Sequence, residues 1–341
     1  MPSTVEVAAM RRAIDLACTP GVPLGPNPRV GCVLLDAGRE VVAEGYHRGA
    51  GHRHAEVDTL LAAGDSAAGT TAVVTLEPCN HTGRTGPCSA ALRDAGVVRV
   101  VYAAPDSSPV AGGGAEALRR AGIDVEGGVL ADEARAINPE WTFAVDHGRP
   151  FVTWKFAATL DGRSAAVDGT SRWITSPEAR ADVHRLRAEC DTILVGTGTV
   201  LADDPQLTVR DDRGVPLERR FQPLRAVLGL RPIPAGAAVI DGAADTVHLA
   251  TRDPHEALAA LFSRGRHRMW LEGGPTVATA FVREGLVDLV VAYIAPSLLG
   301  AGSAAVGSLG ITTVADAVAL EISDVTTVGP DVRITARPGK E

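Results

Sequence analysis

At 341 residues the chain is long enough for two domains, each able to bury a core. Its 45% hydrophobic and 22% charged residues are the balance of a soluble globular protein, and a net charge of −8 with no basic run argues against nucleic acid as a partner. No run of about 18 apolar residues is present to span a membrane, and the five cysteines (Cys18, Cys32, Cys79, Cys88 and Cys190) are too irregular for a disulfide framework and point to a reducing, cytoplasmic compartment.

Residues 4–18 have apolar positions at helical spacing with charges between them, the pattern of a surface helix and not of a secretory leader. Short apolar runs at 29–35 and 72–77 predict buried strands, with a helix over 54–63 between them. A helix over 88–95 closed by Gly96, a strand over 97–104, a helix over 115–121 and a strand over 123–126 follow. This alternation predicts a mostly parallel sheet covered on both faces. The punctuation His147-Gly148-Arg149-Pro150 places a boundary there, giving domains 1–147 and 148–341. The second half predicts strands at 151–158, 191–195, 224–228, 246–250, 268–272, 287–294 and 331–336, and helices at 177–189, 254–263 and 275–284. The polar stretch 203–223 reads as loop.

His54-Ala55-Glu56 opens a helix, Pro78-Cys79 follows a strand, and Cys88 comes nine positions later. One imidazole and two thiolates suit tetrahedral Zn²⁺, balance its charge and leave one position open. Water there has its pKa lowered to about 7, and Glu56, two residues from the histidine, can move the proton. His-x-Glu followed by Pro-Cys and a second cysteine is a zinc deaminase pattern. A structural zinc site would need a fourth protein ligand, for which His81 is the nearest candidate.

In the second half, Met269-Trp270-Leu271-Glu272 runs into Gly273-Gly274-Pro275-Thr276, a strand entering a helix whose first N–H groups could hold a cofactor pyrophosphate or simply form a tight turn. Gly196-Thr197-Gly198 reads as a turn. Lys155 is unusual among apolar strand neighbours, and a strand-end lysine pointing to solvent is the plainer alternative.

Several segments are similar to the bifunctional deaminase/reductase family of riboflavin biosynthesis. They are Pro26-Asn27-Pro28-Arg29-Val30-Gly31-Cys32-Val33, Glu44-Gly45-Tyr46-His47, and the long insert from Leu76 to Cys88, where most cytosine and adenosine deaminases have Pro-Cys-x-x-Cys. In the second half they are Lys155–Arg163, Trp173-Ile174-Thr175-Ser176, Val200–Pro205 and Glu272–Thr276. The resemblance implies an α/β protein, a cytidine-deaminase-like α/β/α sandwich followed by a dihydrofolate-reductase-like α/β domain. It implies zinc on His54, Cys79 and Cys88, Glu56 as proton shuttle, and Asn27 on the substrate. It implies NADPH contacts from Ala158, Trp173, Thr199, Asp203, Gly274, Pro275 and Thr276, and substrate contacts from Ser171, Arg187, Leu207, Arg210 and Glu272, with Lys155 catalytic. Arg187 and Arg210 suit a sugar phosphate. The implied substrate is a small phosphoribosylated diaminopyrimidine, deaminated and then reduced in its ribose. The chain departs from the family at Asp106-Ser107-Ser108-Pro109 and at Gly229-Leu230. A deaminase with a non-catalytic second domain and a zinc-stabilised scaffold stay open as alternatives, and a homo-oligomer is neither signalled nor excluded.

Overall fold

Ser3 and Glu6 close a capping box, each side chain bonding the other residue's backbone N–H, and so start α1 (Thr4–Ala17). The computed structural model describes every residue except 23, 24, 26, 50, 82–85, 107–111, 212, 340 and 341. The chain forms two compact units, Met1–His147 and Gly148–Glu341.

In the first unit α1 is followed by β1 (Gly31–Leu35), β2 (Val41–Tyr46), α2 (Ala55–Ala63), β3 (Thr71–Leu76), α3 (Cys88–Asp94), β4 (Arg99–Ala104), α4 (Gly114–Arg120), β5 (Asp124–Gly127), α5 (Ala131–Arg135) and α6 (Pro139–His147). One sheet forms in the order β2-β1-β3-β4-β5. β3, β4 and β5 are parallel, but β1 is antiparallel to both of its neighbours, so the mostly parallel sheet expected here is a mixed one. The cause is β2, which the sequence pattern did not announce. Residues 36–40 leave room only for a hairpin, which reverses the chain, and α2 then crosses over to β3 on the far side of β1.

Along these strands successive side chains enter different layers. Cys32, Leu34, Val74 and Val100 pack with Ala55, Leu92 and Leu118 of α2, α3 and α4. Val33, Leu35, Val73 and Val101 pack with Met10, Ala13 and Ala134 of α1 and α5. The helix α1 lies so close to β1 that a Cβ on Gly31 would be 1.9 Å from the Ala13 carbonyl oxygen.

The second unit contains β6 (Phe151–Thr159), β7 (Arg163–Ala165), α7 (Pro177–Arg187), β8 (Thr192–Gly196), α8 (Thr197–Asp203), β9 (Leu224–Leu228), β10 (Thr246–Leu249), α9 (Pro254–Phe262), β11 (Arg268–Glu272), α10 (Pro275–Arg283), β12 (Leu289–Ala295), β13 (Ser303–Ala304), β14 (Leu320–Val328) and β15 (Asp331–Pro338). Its large sheet has the order β10-β9-β8-β11-β6-β12-β15-β14, parallel from β10 to β12 and antiparallel beyond. Leu194, Ala226, Leu271 and Val152 pack against α9 and α10, and Ile193, Val195, Val227 and Trp270 against α7 and α8. The Gly196-Thr197-Gly198 segment is the start of α8 and not a turn, with Gly196 as its N-cap. Among the described residues no helix is long and apolar enough to cross a membrane.

Candidate active sites

In the first unit three elements converge on one point. His54 is the N-cap of α2, Glu56 sits in that helix's first turn, Cys79 follows β3, and Cys88 is the first residue of α3. The His54, Cys79 and Cys88 donor atoms all lie within 4.8 Å of one another. Cys79 Sγ is 3.5 Å and Cys88 Sγ 3.3 Å from His54 Nδ1. A tetrahedral zinc with ordinary bond lengths separates nitrogen from sulfur by about 3.6 Å, so the donor set fits that ion. Among the described residues no fourth His, Cys, Asp or Glu joins the group, and His81 is not in it.

The two thiols behave as a pair. The hydrogen bond from Cys88 holds the Cys79 thiol down at about 4 against the opposing effect of burial, and the same bond, then burial, pushes Cys88 up. A divalent cation beside both sulfurs would stabilise the two as thiolates. Glu56 is 4% exposed, and burial, with the Cys79 charge adding to it, pushes its carboxyl up to about 7. It can therefore both take and give a proton near neutrality.

Residues the sequence pattern did not single out hold this centre in place. The Glu77 carboxylate accepts from Ala115 N at 3.0 Å and from Asp106 N at 3.3 Å. Beside it α4 presses on the Cys79 turn, where a Cβ on Gly114 would fall 1.7 Å from the Pro78 carbonyl oxygen. Asn27 Nδ2 lies 3.1 Å from His47 Nε2, and the His47 ring meets the His54 ring edge-on at 5.4 Å. Burial keeps the His47 imidazole below its ordinary value. Pro26, residues 82–85 of the insert and the Ser107-Ser108-Pro109 departure lie outside the described residues.

In the second unit Glu272 and Ala158 lie at or next to the carboxyl ends of parallel strands β11 and β6, where open α/β sheets bind ligands. The Gln206–Arg210 segment is instead bonded to Gln222 and Arg225 at the amino end of β9. Glu272, last in β11, pairs in register with Lys155 of β6. Arg187, last in α7, donates from Nε at 2.6 Å and from Nη2 to the two Glu272 oxygens, and Trp270 Nε1 donates to the same carboxylate. Lys155 is not a strand-end lysine. Among the described residues no carboxylate is within ion-pair distance of it, and its Nζ is 6.0 Å from the centre of the Tyr293 ring. Burial lowers its ammonium pKa, with Glu272 opposing and Arg187 adding. Neither arginine offers an unoccupied fork, since Arg210 bonds Gln206 Oε1 at 2.5 Å and the Gly214 carbonyl at 2.9 Å.

Two glycine-lined segments adjoin there: a Cβ on Gly273 would lie 3.9 Å from Gly196 N. Thr199 in α8 and Gly274, Pro275 and Thr276 at the start of α10 thus border neighbouring strand ends. The helix expected over 275–284 is α10, Pro275–Arg283. Arg172 reaches Asp203, with 3.6 Å to Oδ1, and so ties the Ser171–Trp173 segment to the end of α8. Trp173 is 68% exposed, with the Arg180 guanidinium 4.4 Å and the Arg172 guanidinium 5.8 Å from its ring centre. The Ala158 side chain is buried, leaving only its backbone for a ligand, and Leu207 is buried in a left-handed conformation, φ 53°. His184 was not foreseen: burial, then Arg187, pushes its imidazole down to about 4, and Glu272 and Arg210 are also in range. Its signal was the spacing of three to Arg187 on one helix face.

Residues 3–104 match the cytidine and deoxycytidylate deaminase zinc-binding region, and residues 150–334 match the RibD C-terminal domain. The chain is 48% identical over 312 residues to riboflavin biosynthesis protein RibD of Mycobacterium tuberculosis strain H37Rv, covering 91% of each. The solved structure of Acinetobacter baumannii RibD superposes with a TM-score of 0.85 at 35% identity, covering 98% of this chain and 99% of that one. A Thermotoga maritima structure, described as a diaminohydroxyphosphoribosylaminopyrimidine deaminase/5-amino-6-(5-phosphoribosylamino)uracil reductase, superposes with a TM-score of 0.77 at 31% identity and covers 98% and 99%.

Proposed function

We infer the substrates from membership: this chain belongs to the RibD family of riboflavin-biosynthesis proteins, bifunctional enzymes that join a zinc-binding deaminase to a reductase. The substrate of the first unit is the diaminohydroxyphosphoribosylaminopyrimidine of the Thermotoga relative, and that of the second is 5-amino-6-(5-phosphoribosylamino)uracil. The reductant is NADPH. The observation that carries the deaminase half is the convergence of His54, Cys79 and Cys88 beside a buried Glu56.

His54, Cys79 and Cys88 hold Zn²⁺, which when bound supplies the Lewis acidity that makes water a nucleophile near neutral pH. Glu56 takes a proton from the attacking water and returns it to the departing amine, so that water is consumed and ammonia released. Asn27 bonds the ring. In the second unit Thr199, Asp203, Trp173, the Ala158 backbone and the 274–276 segment hold the cofactor, which when bound supplies hydride. Lys155 meets the ribose oxygen as an ammonium donor, and the Glu272–Arg187 pair, with Ser171, Leu207 and Arg210, shapes the substrate's place. The five free cysteines fit the reducing cytoplasm.

The test supplies the phosphoribosylated diaminopyrimidine to the full chain and follows ammonia release and NADPH oxidation together. Ammonia without NADPH oxidation would favour a deaminase with an inert second unit. Neither signal from a zinc-loaded, folded chain would overturn the substrate assignment.

A further inference from the structure

His47 ends the Gly45-Tyr46-His47 run off β2 and is 3% exposed. Its backbone N–H is fixed to the Val30 carbonyl at 2.9 Å. The facing segment is equally fixed: the Asn138 side chain accepts from Arg29 N and donates to Arg29 O, both at 2.8 Å. Between these anchored backbones His47 Nδ1 lies 2.8 Å from the Arg53 carbonyl oxygen, and His47 Nε2 lies 3.1 Å from Asn27 Nδ2.

A carbonyl oxygen can only accept, so Nδ1 carries the ring hydrogen. In the neutral imidazole Nε2 is then an acceptor, and Asn27 has to turn an N–H toward it. Oδ1 of the same amide therefore faces away from His47. We propose that His47 is a positioning residue of the deaminase: it fixes the Asn27 amide so that Oδ1 is presented as an acceptor to an N–H on the edge of the substrate ring. The proposal rests on the assignment of Asn27 to the substrate given above. An unanchored amide presents its oxygen and its NH2 group alternately, and the second orientation sets donor against donor. The anchored amide selects heterocycles whose edge carries an amino or lactam N–H and rejects those with only a ring-nitrogen lone pair there.

His47 also touches the His54 ring, so an effect of mutation could instead travel through the metal ligand. A double-mutant cycle on the full chain separates the two routes, with His47→Leu, Asn27→Ala and the double variant scored for deamination KM and kcat, bound zinc, and reduction of the deaminated substrate. Each single variant should raise the deamination KM about tenfold, the scale of one lost hydrogen bond to the ring, with zinc and reduction unchanged. In the Asn27→Ala background His47→Leu should add less than about twofold. His47→Gln, which keeps an acceptor, should recover part of the loss and serves if His47→Leu does not fold. Multiplying effects, or zinc lost from His47→Leu, would overturn the proposal. An Asn27→Ala variant with unchanged KM would instead remove the Asn27 assignment on which it rests.

Discussion

Glu272 stands opposite Lys155 in adjoining parallel strands, yet its carboxylate is held by Arg187 and not by the lysine. Burial by itself would raise the Glu272 carboxyl, but Arg187, with Lys155 and Trp270, brings it down to about 2. The lysine ammonium, in the middle of β6, is thereby left without a carboxylate partner among the described residues.

Removing one partner of that ion pair strands the other in a poorly solvated place. Arg187→Met should lower the stability of the full chain by roughly 3 kcal/mol at neutral pH. The folded Glu272 value lies below its ordinary 4.5, so the pair's contribution is complete above pH 4.5 and fades as pH falls toward 2. Melting curves of wild type and variant should therefore differ most near neutrality and converge across that acid range. A gap that stays constant down to pH 2 would contradict the assignment.

Cys88→Ser exchanges a fully buried thiolate donor for a neutral hydroxyl. Metal analysis of purified protein should find one zinc per wild-type chain and well below one in the variant. Glu56→Gln, whose carboxyl is not in the donor set, should keep its zinc. Stoichiometric zinc in Cys88→Ser would remove that residue from the ligands.

Gly114→Ala puts a methyl carbon 1.7 Å from the Pro78 carbonyl oxygen, a backbone atom with little room to yield. The Cys79 turn should shift, with a loss of about 1–3 kcal/mol in stability and weaker zinc binding. Competition with a chromophoric chelator measures the latter. Reduction should be spared, since the strain is confined to the first unit, and unchanged zinc affinity would show that the turn absorbs the methyl group.

The parts legible in the sequence are those with local signatures. His54 and Glu56 announce themselves because ligand and shuttle lie two positions apart at a helix start, and Cys79 and Cys88 because each follows a proline. Most helices were legible from spacing. The hairpin strand β2 was not, since Val41–Tyr46 mixes exposed and buried positions, and β14 was not, since it is exposed almost throughout. α8 was hidden by its glycines. The Arg187–Glu272 pair spans 85 positions and the Asn27–His47 contact 20, and no local pattern connects such partners. The protein partners of Arg187 and Arg210, read as suited to a sugar phosphate, were not legible either, because a lone arginine in sequence does not show which carboxylate or carbonyl the fold will bring to it.

The central claim is two chemistries at two separate sites, and the most direct measurement gives each half-reaction its own substrate. Glu56→Gln should lower ammonia release by at least about a hundredfold, the usual worth of acid–base assistance. The same variant should reduce 5-amino-6-(5-phosphoribosylamino)uracil with NADPH at a nearly wild-type rate. Lys155→Ala should show the converse, with reduction weakened and ammonia release intact. If folded, zinc-loaded Glu56→Gln also failed to reduce the deaminated substrate, the two-site account would be contradicted and a single shared site would take its place.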